Sequence, residues 1–397
     1  MTPSQKKGLL VGSLVLMAVV FVAWRLWPAE QRLPKGIDFR DYQLAKNRFI
    51  RLFDRQPDHD DTLMMLGESA AADGHSELAL AAFQAVNSAH PEYGAAAQLQ
   101  RALMQLQLDQ AVDAERGLRA FLNRVAAEKG SVDPQQLQTA QQWLRYLLSV
   151  QLRLDERHQL LADLHKSGEA SLADSKQYFF PRLLIWKSDT GWTAVRKYLQ
   201  TSPADLLLNV AHSRYLVARG RLPEADRLLT ALQQDHSTHP LLVVAILELN
   251  FERDDWKQIE ETLQQFRVQN PEDQEHPFVV RWLSGELCLR QDEPQQAADH
   301  FLRALDSDPT NPSVHMGLLK AYNQLGESDK AALVKQKSQA LARIRVSMER
   351  VSETSPDGIQ QLITECMAAG FNEAATQFQR HLDRLKASPR AAQGGNN

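Results

Sequence analysis

PFVVRWLSGELCLRQDEPQQAADHFLRALDSDP, residues Pro277–Pro309, holds the pattern from which the rest of the chain can be read. Two amphipathic helical runs flank a break at Asp292–Pro294, where proline is acceptable only as the opening of the second run. Small and apolar residues recur at Gly285, Cys288, Ala297, Phe301 and Ala304, and Pro309 closes the unit. Moved forward by 34 residues the pattern returns, with Ala297 falling on Ala331, Cys288 on Tyr322 and the new break at Gly326. Ala225 and Ile259 share that separation, as do Ala45 and Ala79. A fixed period of this length is the signature of stacked helical hairpins, each burying its apolar face only against its neighbours.

The local run Leu66-Gly67, Ala70, Gly74, Ala79, Phe83 and Pro91 resembles the tetratricopeptide repeat, whose pattern is W-x2-L-G-x2-Y, then A-x3-F, then P. The resemblance covers about residues 38–386, most closely over 206–341 and 38–93. It implies an all-α, right-handed solenoid of about 8–10 hairpins, used as a binding scaffold. In this family the first helix of each hairpin lines a concave face that takes an extended peptide or a partner helix. Carried over, the inward positions are Met64 and Glu68, then Val210, Arg214 and Val217, then Glu248 and Phe251, then Trp282, Glu286 and Arg290, and last Met316, Lys320 and Asn323. Trp282, Phe251 and Arg290 lead this set, since aromatics and arginine dominate interface energetics. Some relatives clamp a peptide carboxylate with lysines and asparagines. Here the equivalent positions hold Val, Glu and Trp, with only Lys320 and Asn323 of the matching kind.

Ahead of the repeats, Lys6 and Lys7 precede the uncharged stretch GLLVGSLVLMAVVFVAW, residues 8–24. With Arg25 snorkelling and Trp27 at the far edge, residues 8–27 are long enough for one membrane-spanning helix. A cleaved signal peptide needs small residues at −3 and −1. Cleavage after Ala23 or Ala29 puts Phe21 or Trp27 at −3, so the expectation is an uncleaved anchor. Gly8 and Gly12 have the spacing of a helix-dimer contact, yet sit at the membrane edge, and a homodimer is not favoured. Basic residues flank both ends, Lys6 and Lys7 before and Arg25, Arg32, Lys35 and Arg40 after. A literal count of these basic residues would leave the repeats inside, but a short tail with two lysines looks like the start of a bacterial secretory signal, so the repeats are expected outside the cytoplasm of a bacterial inner membrane.

The order expected along the chain is a basic tail (1–7), the anchor (8–27) and a linker (28–37), then a partly degenerate array (38–203) and a regular array (204–345), closed by a terminal hairpin (346–386) and a disordered tail (387–397). Within the degenerate array, YFFPRLLIW (178–186) contains Pro181, which must start, kink or end a helix, and Asp189–Gly191 reads as a break.

Composition narrows the function. Of 397 residues 43% are hydrophobic and 24% charged, which fits a folded chain. A net charge of −4 gives no reason to expect nucleic acid. Cys288 and Cys366 sit in helical patterns and read as buried small hydrophobes. No phosphate loop, nucleophile elbow, H-E-x-x-H or C-x-x-C occurs, so no cofactor, metal site or catalytic residue is assigned. His236 and His239 read as loop residues closing a repeat, and Asp58–Asp61 as helix capping rather than a calcium loop, which would need a glycine and a distal glutamate. Lys330–Arg350 reads as a solvated basic face. The function expected is a non-catalytic, membrane-anchored adaptor binding envelope proteins or peptides through the concave face. An assembly chaperone for unfolded or secreted clients is the alternative.

Overall fold

The structure, a computed structural model, describes residues 33, 35–128, 133–168, 170–179, 189–271, 276–352 and 354–387. The expected anchor with its Gly8/Gly12 pair, Pro181 and the tail from 388 lie outside the described residues. Every regular element among those described is a helix, and none is long and apolar enough to cross a membrane. The chain divides into two compact units between Leu144 and Arg145.

The first unit contains α1 (Phe39–Phe53), α2 (His59–Ala72), α3 (Ser76–Ala85), α4 (Gly94–Gln107), α5 (Ala111–Glu128) and the opening of α6 (Pro134–Val150). The second contains the end of α6, α7 (Leu154–Ser167), α8 (Leu172–Phe179) and α9 (Asp189–Thr201). Five hairpins follow: α10 (Leu206–Ala218) with α11 (Leu222–His236), α12 (Pro240–Glu252) with α13 (Trp256–Gln269), α14 (Phe278–Arg290) with α15 (Pro294–Ser307), α16 (Pro312–Gln324) with α17 (Ser328–Arg350), and α18 (Pro356–Ala368) with α19 (Asn372–Ala387).

One turn geometry reverses the chain in eight places. Gly74, Asp109, Leu152, Gly220, Asp254, Asp292, Gly326 and Gly370 all have φ between 54° and 80°. The amide after each donates to the carbonyl five residues back, as from His75 to Ala70 and from Glu293 to Cys288, at 2.8–3.0 Å. This is the Schellman ending, which satisfies carbonyls that the helix end leaves unpaired. Glycine suits it because no Cβ meets the following carbonyl, and a short aspartate is the next best residue. Leu152 has neither advantage, so its conformation costs about 1–2 kcal/mol that neighbouring contacts must offset.

Hairpins stack where a ring replaces a missing side chain. Phe301 is fully buried, and a Cβ added at Gly285 in the same hairpin would come within 2.6 Å of its ring. Gly317, in the next hairpin, approaches the same ring more closely still. Gly67 and Phe83 repeat the arrangement in the first unit at 2.5 Å. The alanine column read from the period, with Ala79, Ala225 and Ala297 at 0% exposure and Ile259 in register, forms the crossing of each helix pair. Asp189–Gly191 opens α9, and a Cβ added at Gly191 would come within 2.1 Å of the Tyr215 hydroxyl oxygen.

Residues 145–179 are built into the second unit by long-range hydrogen bonds. Asp155 accepts from the Phe278 amide at 3.1 Å, the Phe179 carbonyl from Arg345 at 2.6 Å, and the Gly168 and Ala170 carbonyls from Gln377 at 2.9 and 2.7 Å. Leu172 and Phe179 join the core of the last hairpins with Ile344, Met348, Ile359 and Phe378. Cys366 lies in that core, where burial pushes its thiol up to about 12, and Cys288 is likewise an unbridged, buried thiol pushed upward.

Ala297→Leu and Gly317→Ala should each lower stability by about 1–3 kcal/mol, because the fully buried Phe301 ring and the helix crossing cannot give way. The glycine change is the sharper test. In an unobstructed helix it would stabilise by roughly 0.5–1 kcal/mol, so a higher denaturant midpoint for Gly317→Ala would contradict the packing described.

Five histidines of the second unit add a pH dependence, His212 and His239 among them, both held low first by burial. Burial holds His165 and His315 below the ordinary 6.5, and burial together with Arg267 brings His300 down to about 4. The unfolded chain therefore binds protons that the folded one refuses, and stability falls as pH drops below about 6.5. Melting temperature measured from pH 7 downward should decline before the carboxylates titrate, and His300→Gln should flatten part of the decline.

Candidate functional site

Positions 34 apart on the first helices of four successive hairpins hold Arg214, Glu248, Trp282 and Met316, on α10, α12, α14 and α16. The first two are buried and paired. Arg214 Nε and Nη2 donate to the Glu248 carboxylate at 2.6 and 2.7 Å, and Nη1 donates to the Leu152 carbonyl. Burial raises the Glu248 carboxyl while Arg214 pulls it back. The positively twisted Leu152 thus hands its carbonyl to the guanidinium. At these two positions the expected open groove is occupied by the chain's own turn between α6 and α7.

Beyond that turn the column opens. Leu154, Leu241, Val244, Phe278 and Trp282 line a cleft of about 80 Å³. The Arg214–Glu248 pair lies in its wall, with Asp155, Asn311 and Ser313 among its polar lining. Trp282 is half-buried and packs against the cores of two neighbouring hairpins, so it is a wall as well as a surface.

An aromatic and charged strip continues from it. Phe251 lies 5.1 Å from Trp282 and 5.9 Å from Trp256, ring centre to ring centre. The Arg290 guanidinium sits 3.8 Å over Trp256, whose indole N–H donates to Asp254 at 2.6 Å. Glu286 is half-buried, and burial raises its carboxyl against the pull of Lys320, the Trp282 indole and Arg290. Phe251, Trp282, Glu286, Arg290 and Lys320 therefore share one neighbourhood, with Met316 exposed. Asn323 is exposed on the same helix as Lys320. Met64 is part of the first unit's core, and Glu68 is exposed near Arg48 in that unit. Trp256, which sequence reasoning passed over, supplies the platform for Arg290. Its signal was an aromatic at the start of a second helix, directly after the Asp254–Asp255 break.

This arrangement can hold an apolar side chain beside paired positive and negative groups. Among the described residues no group of three or more His, Cys, Asp or Glu is placed to hold a metal ion. The Asp58–Asp61 run is a capping box, with Asp58 accepting from the Asp61 amide at 2.7 Å and Asp61 answering at 3.0 Å. Burial opposes the charge on Asp61, but hydrogen bonds from Arg55, Tyr93 and the Asp58 amide outweigh it and hold the carboxyl low. His236 and His239 close a loop, the His239 amide donating to the His236 carbonyl at 2.9 Å.

No family model and no curated protein sequence matches the chain. Solved structures to which it is similar include a tetratricopeptide repeat protein from Parabacteroides merdae, at 14% identity over 66% of this chain and 98% of that one, TM-score 0.33. The human IFIT1 dimer with m7Gppp-AAAA is another, at 13% identity, 89% and 96% coverage and TM-score 0.36. Yeast Tom70 is a third, at 11% identity, 89% and 97% coverage and TM-score 0.34. Likeness at this level carries nothing about what the chain binds, and the fold rests on the turns and packing described above.

Arg214→Ala should destabilise the second unit by about 3–5 kcal/mol, because it leaves Glu248 buried without its partner. The double change Arg214→Met with Glu248→Leu should recover most of that loss. Denaturant titration of both variants distinguishes a needed pair from a replaceable one.

Proposed function

We propose that the chain is a non-catalytic scaffold, anchored by residues 8–27 in a bacterial inner membrane with its helical hairpins outside the cytoplasm, that binds partner proteins through the strip around Trp282. The observation that supports this reading is the division of one column of equivalent positions. Arg214 and Glu248 are consumed by each other and by Leu152, whereas Trp282 and Met316 face a cleft and solvent. Half-buried aromatics with an arginine stacked on one of them have the composition of an interface anchor, and Glu286 with Lys320 adds charges of both signs for choosing a partner.

The chaperone reading is less favoured by the same geometry. A holder of unfolded clients gains from a long, adaptable apolar channel. Here a buried ion pair and the α6–α7 turn fill part of the face, and the remainder is short and chemically mixed.

Proximity labelling from an enzyme fused after Asn397 tests compartment and neighbours together. Labelled proteins should be ones exposed outside the cytoplasm. Arg290→Gln with Lys320→Gln, both exposed positions, should remove specific neighbours by about tenfold or more while circular dichroism shows the helices still folded. An unchanged set of neighbours would remove this strip from the proposal.

A further inference from the structure

α17 has 23 residues against 13 in α16, the helix with which it forms a hairpin, and its last turns carry two unlike faces. Leu341, Ile344 and Met348 are buried in the core of the last hairpins. That orientation leaves Ala342, Arg343, Val346 and Arg350 on the opposite side, all exposed.

The charges here are unequal, and only some are engaged. From Lys330 to Arg350 the chain carries six basic residues and one acid, Glu349. Lys330 is bound to Glu327 at 2.8 Å, Lys337 lies 5.5 Å from the centre of the Phe371 ring, and Arg345 turns inward to the carbonyls of Phe179 and Thr310. Lys335, Arg343 and Arg350 are exposed and meet no partner among the described residues.

Arg343 and Arg350 flank a groove of about 450 Å³ between α17 and α18. Ala342, Val346 and Val351 supply its apolar lining. Gly358 lets α18 start close by, since an added Cβ would come 2.8 Å from Val351. On the α18 wall Gln361 donates to Glu365 at 2.9 Å, and Glu365 is the one acid among the residues lining the groove. The groove is therefore signed across its width, with open cations on α17 and an engaged carboxylate on α18.

We infer that this groove takes an acidic amphipathic helix of a partner protein, with carboxylates on Arg343 and Arg350 and an apolar side chain between them on Val346. The two arginines are seven residues apart, about 10 Å along α17, which a second helix laid alongside reproduces with its own positions i and i+7. Acids placed on the α17 side also stay clear of Glu365. The chain's own ends do not complement this rim: residues 1–32 hold four basic residues and one acid, and residues 388–397 hold one basic residue and no acid. The groove shares no residue with the cleft beside Trp282 and does not depend on it.

The test uses the full chain in detergent and a fluorescein-labelled, alanine-based peptide of about 20 residues, long enough to be helical. The peptide carries two glutamates seven residues apart, a leucine between them and a benzophenone beside the leucine. A second peptide has glutamine in place of both glutamates. Binding is read by fluorescence anisotropy at low and high salt, and cross-links are located by mass spectrometry. At low salt the glutamate peptide should bind at least about fivefold more tightly than the glutamine peptide, and high salt should remove the difference. Cross-links should fall within residues 342–365. Arg343→Gln with Arg350→Gln should weaken the glutamate peptide by about fivefold, whereas Glu365→Gln should tighten it. Because these changes move binding in opposite directions, a folding defect cannot imitate both.

Equal binding of the two peptides, cross-links outside that segment, or no binding overturns the proposal. Sedimentation equilibrium without peptide covers the other occupant: a dimer dispersed by the two arginine changes gives the groove to a second copy of the chain and overturns it as well.

Discussion

The guanidinium of Arg214 meets three oxygens, two from Glu248 and one from Leu152, and the arrangement of the second unit follows from that meeting. A buried charge pair is costly to desolvate, so it is tolerated only where geometry is good and further hydrogen bonds are made. The Leu152 carbonyl is the further bond. It is available because the chain there adopts a left-handed turn that leucine avoids. Strain in one residue and desolvation of two others are thus compensated together, and the result starts α7 against the first helices of the following hairpins.

Much of the hairpin architecture was legible because its causes are local or periodic. Ala225, Ile259, Ala297 and Ala331 recur because a helix crossing admits only modest side chains, and Gly220, Gly326 and Gly370 because a Schellman ending needs positive φ. Asp109 and Leu152 make the same turn with residues that do not announce it. Nor does anything near Gly168 foretell a hydrogen bond to Gln377, 209 residues away, since such a pairing has no period.

The candidate site divides in the same way. The repeat register placed Arg214, Glu248, Trp282 and Met316 at equivalent positions, because side-chain direction follows helix geometry. It did not say which would be occupied. Two side chains of opposite charge one repeat apart could be read from the sequence as two separate groove contacts. Their adjacency, and the arrival of a distant carbonyl between them, belong to tertiary structure. Trp256 escaped for a related reason: its value lies in carrying Arg290, a neighbour from the next hairpin.

Simple repeat arrays can nucleate anywhere and grow by adding neighbours. The bonds from Gln377 and Arg345 back to the segment ending at Phe179 remove that freedom. A chain made from its amino terminus must hold Leu172 and Phe179 without their core until the last helices exist, nearly two hundred residues later. Loop closure of that length is slow, and apolar surface waits exposed meanwhile. For this unit, maturation is gated by completion of the polypeptide, and a ribosome that stops short of α19 would release a product with its interior still uncovered.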